Sequence, residues 1–258
     1  MRLFKKQIYL IIDKKVRYIY GLHAVSNIIN SDHNKIIKIY LKKNYRSKNL
    51  TNLFTEAIDA GLYIEEVNTD KLSMLCESNK HQGVVCEIED MDLSFFNLDN
   101  YLLTTKKPFI LILDQIKDPN NLGACIRTAN AVGCNLIIKR KSNSSPISPA
   151  VHKASCGGTS GINIYESNDL NGILKKLKKH NIIIVGTDHR AKSSYREMSQ
   201  LVEYTGVCVV MGSEDVGISR GLKNSCDIMC SVPIHGSVAC LNISVACGVI
   251  LYEVAKYR

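Results

Sequence analysis

No stretch of this chain is apolar for eighteen consecutive residues, so nothing in it predicts a membrane-spanning helix. The longest candidate, Ile243 to Ala255, is interrupted by Ser244 and Glu253 and predicts a buried helix instead. Ten cysteines include no C-x-x-C pair, a spacing that suits neither a zinc site nor the disulfide framework of a small secreted protein. Most lie in apolar runs such as Val207-Cys-Val-Val210 and are expected to be reduced, buried thiols of a cytosolic protein, with no metal bound. G-x-G-x-x-G after an early strand, followed about twenty positions on by an acidic residue, is also missing, which excludes a dinucleotide site. Met1 to Tyr18 holds lysines, an arginine and an Ile-Tyr-Leu-Ile-Ile patch but no small-residue cleavage site. The expectation is therefore no secretory signal and a cytoplasmic protein. Internal repeats and low-complexity segments are lacking as well.

What is present is an excess of positive charge on a chain that can fold. The 258 residues are 45% hydrophobic, enough to bury real cores in one large or two ordinary domains. The formal charge is +9, with 14 lysines and arginines against 11 acidic residues over positions 1–90 and 19 against 13 beyond. Both parts are basic without a basic tail, which points to a polyanionic partner.

Periodicity divides the chain. A helix is expected over Tyr20–Ile29 and another over Leu50–Ala60 ending at Gly61, with strands at Ile36–Leu41, Tyr63–Val67 and Val84–Ile88. These form a small α/β unit over residues 18–90, after an extension over residues 1–17. Residues 91–107, polar and then closed by Lys-Lys-Pro108, read as a linker. From residue 108 to 258, apolar strands (Phe109–Leu113, Asn135–Ile138, Ile182–Gly186, Val207–Met211, Ile228–Val232) alternate with helices (Asn121–Val132, Leu170–His180 and one from Asn242). Short, continuously apolar strands of this kind predict a parallel sheet covered on both faces. Lys139 to Ser148 is expected as a polar loop.

Three segments concentrate the chemistry: Asp118-Pro-Asn-Asn-Leu-Gly-Ala-Cys-Ile-Arg127, Met211-Gly-Ser-Glu-Asp-Val-Gly217, and Val232-Pro-Ile-His-Gly-Ser-Val-Ala-Cys-Leu-Asn-Ile-Ser-Val245. Each follows an apolar strand, and in an open parallel sheet ligands sit beyond the carboxyl ends of the strands. Gly212, directly after its strand, would let a ligand approach the backbone. Asn121 and Asn242 each precede an apolar periodic run, so helix capping suits both alongside any role in a site.

In order and spacing the three segments resemble the signature motifs of the SpoU (TrmH-type) branch of the SPOUT methyltransferases. The resemblance implies an α/β fold whose parallel sheet ends in a trefoil knot, with S-adenosylmethionine bound bent in the knot. It places Gly212, Val232, Ile234 and Leu241 around the cofactor, with the Gly186-Thr187 strand end completing the pocket. It implies methyl transfer to a ribose 2′-hydroxyl of RNA, with Asn121, Arg127, Glu214, Cys240 and Asn242 at the family's catalytic positions. A guanidinium has no acceptor for a proton, so Arg127 is better suited to gripping the target phosphate and stabilising the developing alkoxide. Family members usually have Ser where this chain has Cys240 and Gly where it has Asp215.

The amino-terminal pieces Tyr20-Gly-Leu-His-Ala-Val25 and His81-Gln-Gly-Val84 resemble a substrate-binding module similar to ribosomal proteins L30e and L7Ae. This combination is found in bacterial enzymes that methylate a guanosine in the peptidyl-transferase region of 23S rRNA. It implies 23S rRNA or a large-subunit assembly intermediate as partner and a homodimer in solution. His23 and His81 suit either RNA contact or structure. Lys35, Lys38, Lys42, Lys43, Arg46 and Lys48, together with Lys139-Arg-Lys141, are the candidates for gripping phosphate, while Lys175, Lys176, Lys178 and Lys179 read as a solvated face. Two alternatives stay open here: a ribosome-assembly factor that has lost turnover through Cys240 and Asp215, and a methyltransferase acting on tRNA.

Overall fold

A computed structural model describes residues 16–45, 47–89, 96–159, 161–198 and 205–258. Residues 1–15 of the expected extension, Arg46, and residues 90–95 lie outside the described residues. The chain divides into two compact units between residues 92 and 93.

The first unit runs β1 (Val16–Tyr20), α1 (Leu22–Asp32), β2 (Ile36–Lys42), α2 (Lys48–Asp59), β3 (Ile64–Val67), α3 (Thr69–Cys76) and β4 (Val84–Glu89). Its sheet has the order β1-β4-β2-β3, antiparallel except between β2 and β3. Side chains alternate across a strand, and the unit uses both faces. Ile39, Leu41, Val84 and Cys86 pack with Val25 and Ile28 of α1 and Leu53 of α2, whereas Tyr40 and Val85 pack with Leu72 and Cys76 of α3. Tyr20, expected to begin a helix, instead ends a strand paired with β4, and Gly21 (φ 95°) makes the turn into α1. β1 therefore reaches into the stretch expected as an extension. Its Val-Arg-Tyr-Ile-Tyr composition suits a pleated strand, and the helical spacing starts only at Leu22.

His81 and Gln82 serve the fold. His81 is buried, its Nδ1 accepts from the Gly83 N–H at 3.0 Å, and Gln82 Oε1 accepts from the Leu22 N–H at 3.1 Å, capping α1. His23 is exposed.

The second unit runs α4 (Leu98–Thr104), β5 (Phe109–Asp114), α5 (Pro119–Ala131), β6 (Leu136–Arg140), α6 (Pro149–Ala154), β7 (Asn163–Ser167), α7 (Leu170–Lys179), β8 (Ile182–Thr187), β9 (Ser193–Ser194), β10 (Gly206–Gly212), α8 (Arg220–Lys223), β11 (Ile228–Ser231) and α9 (Ile243–Ala255). Its seven strands are all parallel, in the order β7-β6-β5-β10-β8-β11-β9. Leu111 and Leu113 face a core with α5 and α9, and Ile110 and Ile112 face another with α4 and α7, as expected for a sheet covered on both sides. From β5 the chain builds outward to β6 and β7, while β10 sits between β5 and β8. The strand order reverses there, which opens a crevice at the carboxyl ends of β5 and β10.

Two expectations change. The stretch read as a linker carries α4, whose Leu98 and Leu102 are buried in the second unit's core. Lys139 and Arg140 lie in β6, not in a loop: Lys139 is 1% exposed and paired with Glu166 at 2.8 Å, and Arg140 Nε donates to Asp114 at 2.5 Å. Both cations are spent on carboxylates inside the sheet, so of the three only Lys141 is exposed to meet phosphate. The lysines of α7 are exposed, with Lys176 and Lys178 paired to Asp99 and Asp227.

Candidate functional site

The loop after β10 is built around two glycines. Gly217 adopts φ 71°, which closes a turn in which its N–H donates to Ser213 O at 2.8 Å and the Val216 N–H to Ser213 Oγ at 3.2 Å. The turn folds back on Gly212 so closely that a Cβ there would fall within the Gly217 and Ile218 backbone. Gly212 is thus required by the loop's own chain, not only by the approach of a ligand. The turn's next residue, Glu214, projects to the helix starts of α5 and α9.

There the three sequence motifs meet. Glu214 Oε1 accepts from Asn121 Nδ2 at 3.0 Å, from Asn242 Nδ2 at 2.8 Å and from the Ile243 N–H at 3.3 Å, and Asn242 Nδ2 also donates to Asn121 Oδ1 at 3.1 Å. Asn242 caps α9 at the same time, since its Oδ1 accepts from the Ser244 N–H at 2.9 Å. Asn121 does not cap α5. Asp118 takes that place, accepting from the Asn120 N–H at 2.8 Å with Pro119 at the first helical position. Asn121 sits inside the first turn with its amide free for Glu214.

A cavity opens beside this cluster, at the ends of β8, β10 and β11. Met211, Val232, Ile234, Leu241 and Ile250 give it apolar walls, while Thr187, Asp188, Ser231 and Glu214 supply polar groups. Gly212 and Cys240 line it too. The cavity therefore joins all four residues expected at a cofactor with Glu214 and Cys240. Apolar walls with a few polar groups suit a ligand that has both a planar apolar part and hydroxyl or charged parts, and adenosine bearing an amino-acid tail is such a ligand. Among the described residues no group of three His, Cys, Asp or Glu side chains stands ready to hold a metal ion.

Asp188, His189 and Arg190, which line the cavity from the loop after β8, escaped the sequence reading. Their only signal was position, directly after the Gly186-Thr187 strand end. Asp188 is bound by Lys223 Nζ and by the Arg190 N–H at 3.0 Å, and its own N–H donates to Cys230 O at 3.0 Å. Burial opposes its charged form, but the Lys223 ammonium and the Arg190 N–H outweigh burial and hold the carboxyl at about 2. Cys230, on the cavity wall, is pushed up to about 12 by burial and is an inert thiol.

Arg127 is placed elsewhere. Two turns along α5 from Asn121's end of the helix, it is exposed, its Nη1 reaches Cys156 Sγ at 3.3 Å, and it does not line the cavity. The two departures from the family pattern lie at the exposed rim. Cys240 makes no hydrogen bond among the described residues, and Asp215 Oδ2 faces Lys117 Nζ at 4.0 Å, so its additional charge is opposed locally.

The chain matches the SpoU rRNA Methylase family over residues 108–252 and the family described as RNA 2′-O ribose methyltransferase substrate binding over residues 18–92. It is 36% identical over 251 residues to the 23S rRNA (guanosine-2′-O-)-methyltransferase RlmB of Coxiella burnetii, covering 95% of this chain and 97% of that protein. The protein of the same name from Pasteurella multocida is 36% identical over 242 residues, covering 93% and 98%. Among solved structures, the SpoU methyltransferase AviRb from Streptomyces viridochromogenes in complex with AdoMet superposes with a TM-score of 0.74 at 18% identity, covering 99% of this chain and 98% of its own. The TrmH/SpoU tRNA modifying enzyme of A. aeolicus superposes with a TM-score of 0.52 at 25% identity but covers only 62% of this chain. The fold is that of the SPOUT methyltransferases.

Proposed function

The chain belongs to the SpoU rRNA methylase family, and from that premise we propose that it transfers a methyl group from S-adenosylmethionine to the ribose 2′-oxygen of a guanosine in 23S rRNA, in the peptidyl-transferase region. The observation that carries the reading is the meeting of Asn121, Glu214 and Asn242, one from each motif, beside a cavity at the strand ends. Cover by relatives that act on 23S rRNA over 95% of this chain favours the same substrate. The tRNA modifying enzyme leaves more than a third of this chain unmatched, which weighs against tRNA.

Gly212, Val232, Ile234 and Leu241, which all line the cavity, would hold the cofactor in this reading, largely through backbone groups around its adenine and ribose. S-adenosylmethionine brings the methyl group on a sulfonium, so transfer to an alkoxide oxygen discharges both. Transfer needs the 2′-oxygen in line with that methyl, and holding it there is the main contribution of the polar cluster. Glu214 fixes both asparagine amides through one oxygen, leaving its other oxygen and the amide edges to orient the ribose. Arg127 grips the target phosphate and stabilises the developing alkoxide, and the proton leaves through phosphate or water because the guanidinium cannot accept it. Cys240 stands at the rim as a weaker donor than the usual serine.

We propose further that the chain works as a homodimer in the cytoplasm. Val245 and Tyr252, 52% and 61% exposed, lie seven residues apart and so on one face of α9, an apolar strip suited to a second copy. Pairing of copies would let Arg127, which does not line the cavity of its own chain, serve the partner's cavity. 23S rRNA, free or in a large-subunit assembly intermediate, is the nucleic-acid partner.

The test is methyl incorporation from labelled S-adenosylmethionine into 23S rRNA lacking its 2′-O-methyl groups, mapped to the nucleotide. Modification of one guanosine, lost in Arg127→Ala and Glu214→Ala, is the expected result. Binding of cofactor and RNA without incorporation would replace this reading with that of an assembly factor, and incorporation into tRNA alone would replace the substrate.

A further inference from the structure

Asp114 ends β5 and is wholly buried, yet it is neither in the polar cluster nor on the cavity wall. Its two carboxylate oxygens are divided between two parts of the unit. Oδ1 accepts from Arg140 Nε at 2.5 Å, and Oδ2 accepts from the Ser219 backbone N–H at 3.0 Å. Arg140 is held from its far side, since its Nη1 donates to Asn168 O at 3.2 Å. A buried carboxylate is tolerated when it is paired and hydrogen-bonded, and here a guanidinium and a backbone amide do this.

Ser219 is where the loop that carries Glu214 leaves for α8. The loop begins at Gly212, which lies opposite Asp114 in the β5–β10 register. Asp114 thus touches both ends of the loop, one through the sheet and the other through its side chain. Between those ends Ile218 is 2% exposed and the Ser213–Gly217 turn is closed on itself. We infer that Asp114 is a positioning residue: it clamps the Ser213–Ser219 loop so that Glu214 meets Asn121 and Asn242 and the loop forms its wall of the cavity. The clamp stands on the contacts alone, and its effect on methyl transfer rests on the function proposed above.

Ser219 has φ −58°, a value proline also adopts, so Ser219→Pro deletes the N–H that Asp114 accepts without forcing that angle. Asp114→Asn is the second variant, because its amide cannot accept from Ser219 and Arg140 with both atoms. Amide hydrogen exchange of the full chain reads the loop directly. The expected result is exchange at Val216 and Gly217 at least tenfold faster in both variants with β5 and β10 still protected, and in Ser219→Pro, which leaves the Asp114–Arg140 pair intact, a thermal midpoint within a few degrees. Cofactor affinity by calorimetry and single-turnover rate on 23S rRNA should each fall at least tenfold, and a double variant with Glu214→Ala should be no slower than Glu214→Ala alone.

Unchanged loop exchange would overturn the clamp, as would protection lost equally across β5 and β10, since that marks a residue serving general stability. Rate losses that add to those of Glu214→Ala would overturn action through Glu214. Failure of the unmutated chain to methylate RNA would instead remove the proposed function and leave the exchange result to decide the clamp.

Discussion

One oxygen of Glu214 accepts from two side-chain amides and a backbone N–H, which makes this carboxylate the joint between segments 93 and 28 residues away. Its removal leaves the two asparagines joined only to each other and to the α9 cap, and an error of about 1 Å in a reacting group can cost about a hundredfold. Glu214→Ala is expected to lower the single-turnover methylation rate by about that factor with little change in thermal midpoint, measured by quenched-flow incorporation beside calorimetry. Asp188 gives a second expectation at this scale. Its folded pKa, about 2, lies below its ordinary 3.8, so it contributes stability that is present above the ordinary value and lost as pH falls through the folded one. Asp188→Asn should therefore lessen the fall in thermal midpoint between about pH 4 and pH 2, seen by circular dichroism. Thiols sort by burial in the same way. Burial pushes Cys134 up to about 12 and Cys226 up to about 11, while Cys240 is the exposed thiol among the described residues. Cys240 should therefore react with a thiol reagent at pH 8 well before the others, and Cys240→Ser should abolish that fast phase.

At the scale of elements, α9 begins with a residue that does two things at once. The Asn242 carbonyl oxygen caps the helix and its amide nitrogen feeds Glu214 and Asn121. Asn242→Asp keeps the cap, because aspartate caps as well as asparagine, but replaces the donor with a second carboxylate facing Glu214. Helix content and thermal midpoint should stay near those of the parent while the transfer rate drops at least tenfold. An Asn242→Asp variant with full rate would show that capping was the residue's whole role. The long helices and apolar strands of this unit were legible because their periodicity is local. α4 and α6, of seven and six residues, were not, and neither was β1, whose membership in a sheet depends on β4 more than sixty residues later. Lys139 and Arg140 were misplaced for the same reason: a lysine and an arginine read as solvated unless one knows that Glu166 and Asp114 lie beside them.

At the scale of the molecule, the positive charge is spread over both units, and an RNA partner should reveal it through salt. The logarithm of RNA affinity should fall linearly with the logarithm of salt concentration, by about 0.7 to 0.9 per phosphate contacted. Lys42 and Lys43 are exposed at the end of β2, whereas Lys38 is tied to Glu65 at 3.1 Å. Lys42→Ala with Lys43→Ala is expected to weaken binding and reduce the salt slope by about one to two, and Lys38→Ala to leave the slope unchanged, in filter-binding titrations.

By itself the sequence determined the family, the cofactor's class, the parallel sheet and the three segments that build the site, because motif spacing and apolar periodicity are written along the chain. Only the tertiary structure decided which of those residues meet. Asn121 and Asn242 are 121 positions apart and become hydrogen-bonded because β5 and β10 are neighbours in the sheet and α5 and α9 pack on the same face of it. Arg127, only six residues from Asn121, is carried away from that cluster because six positions along a helix are one and two-thirds turns. Asp114 and Asp188 acquired their parts the same way: a buried carboxylate is defined by the cations and amides that surround it, and those come from remote strands and loops.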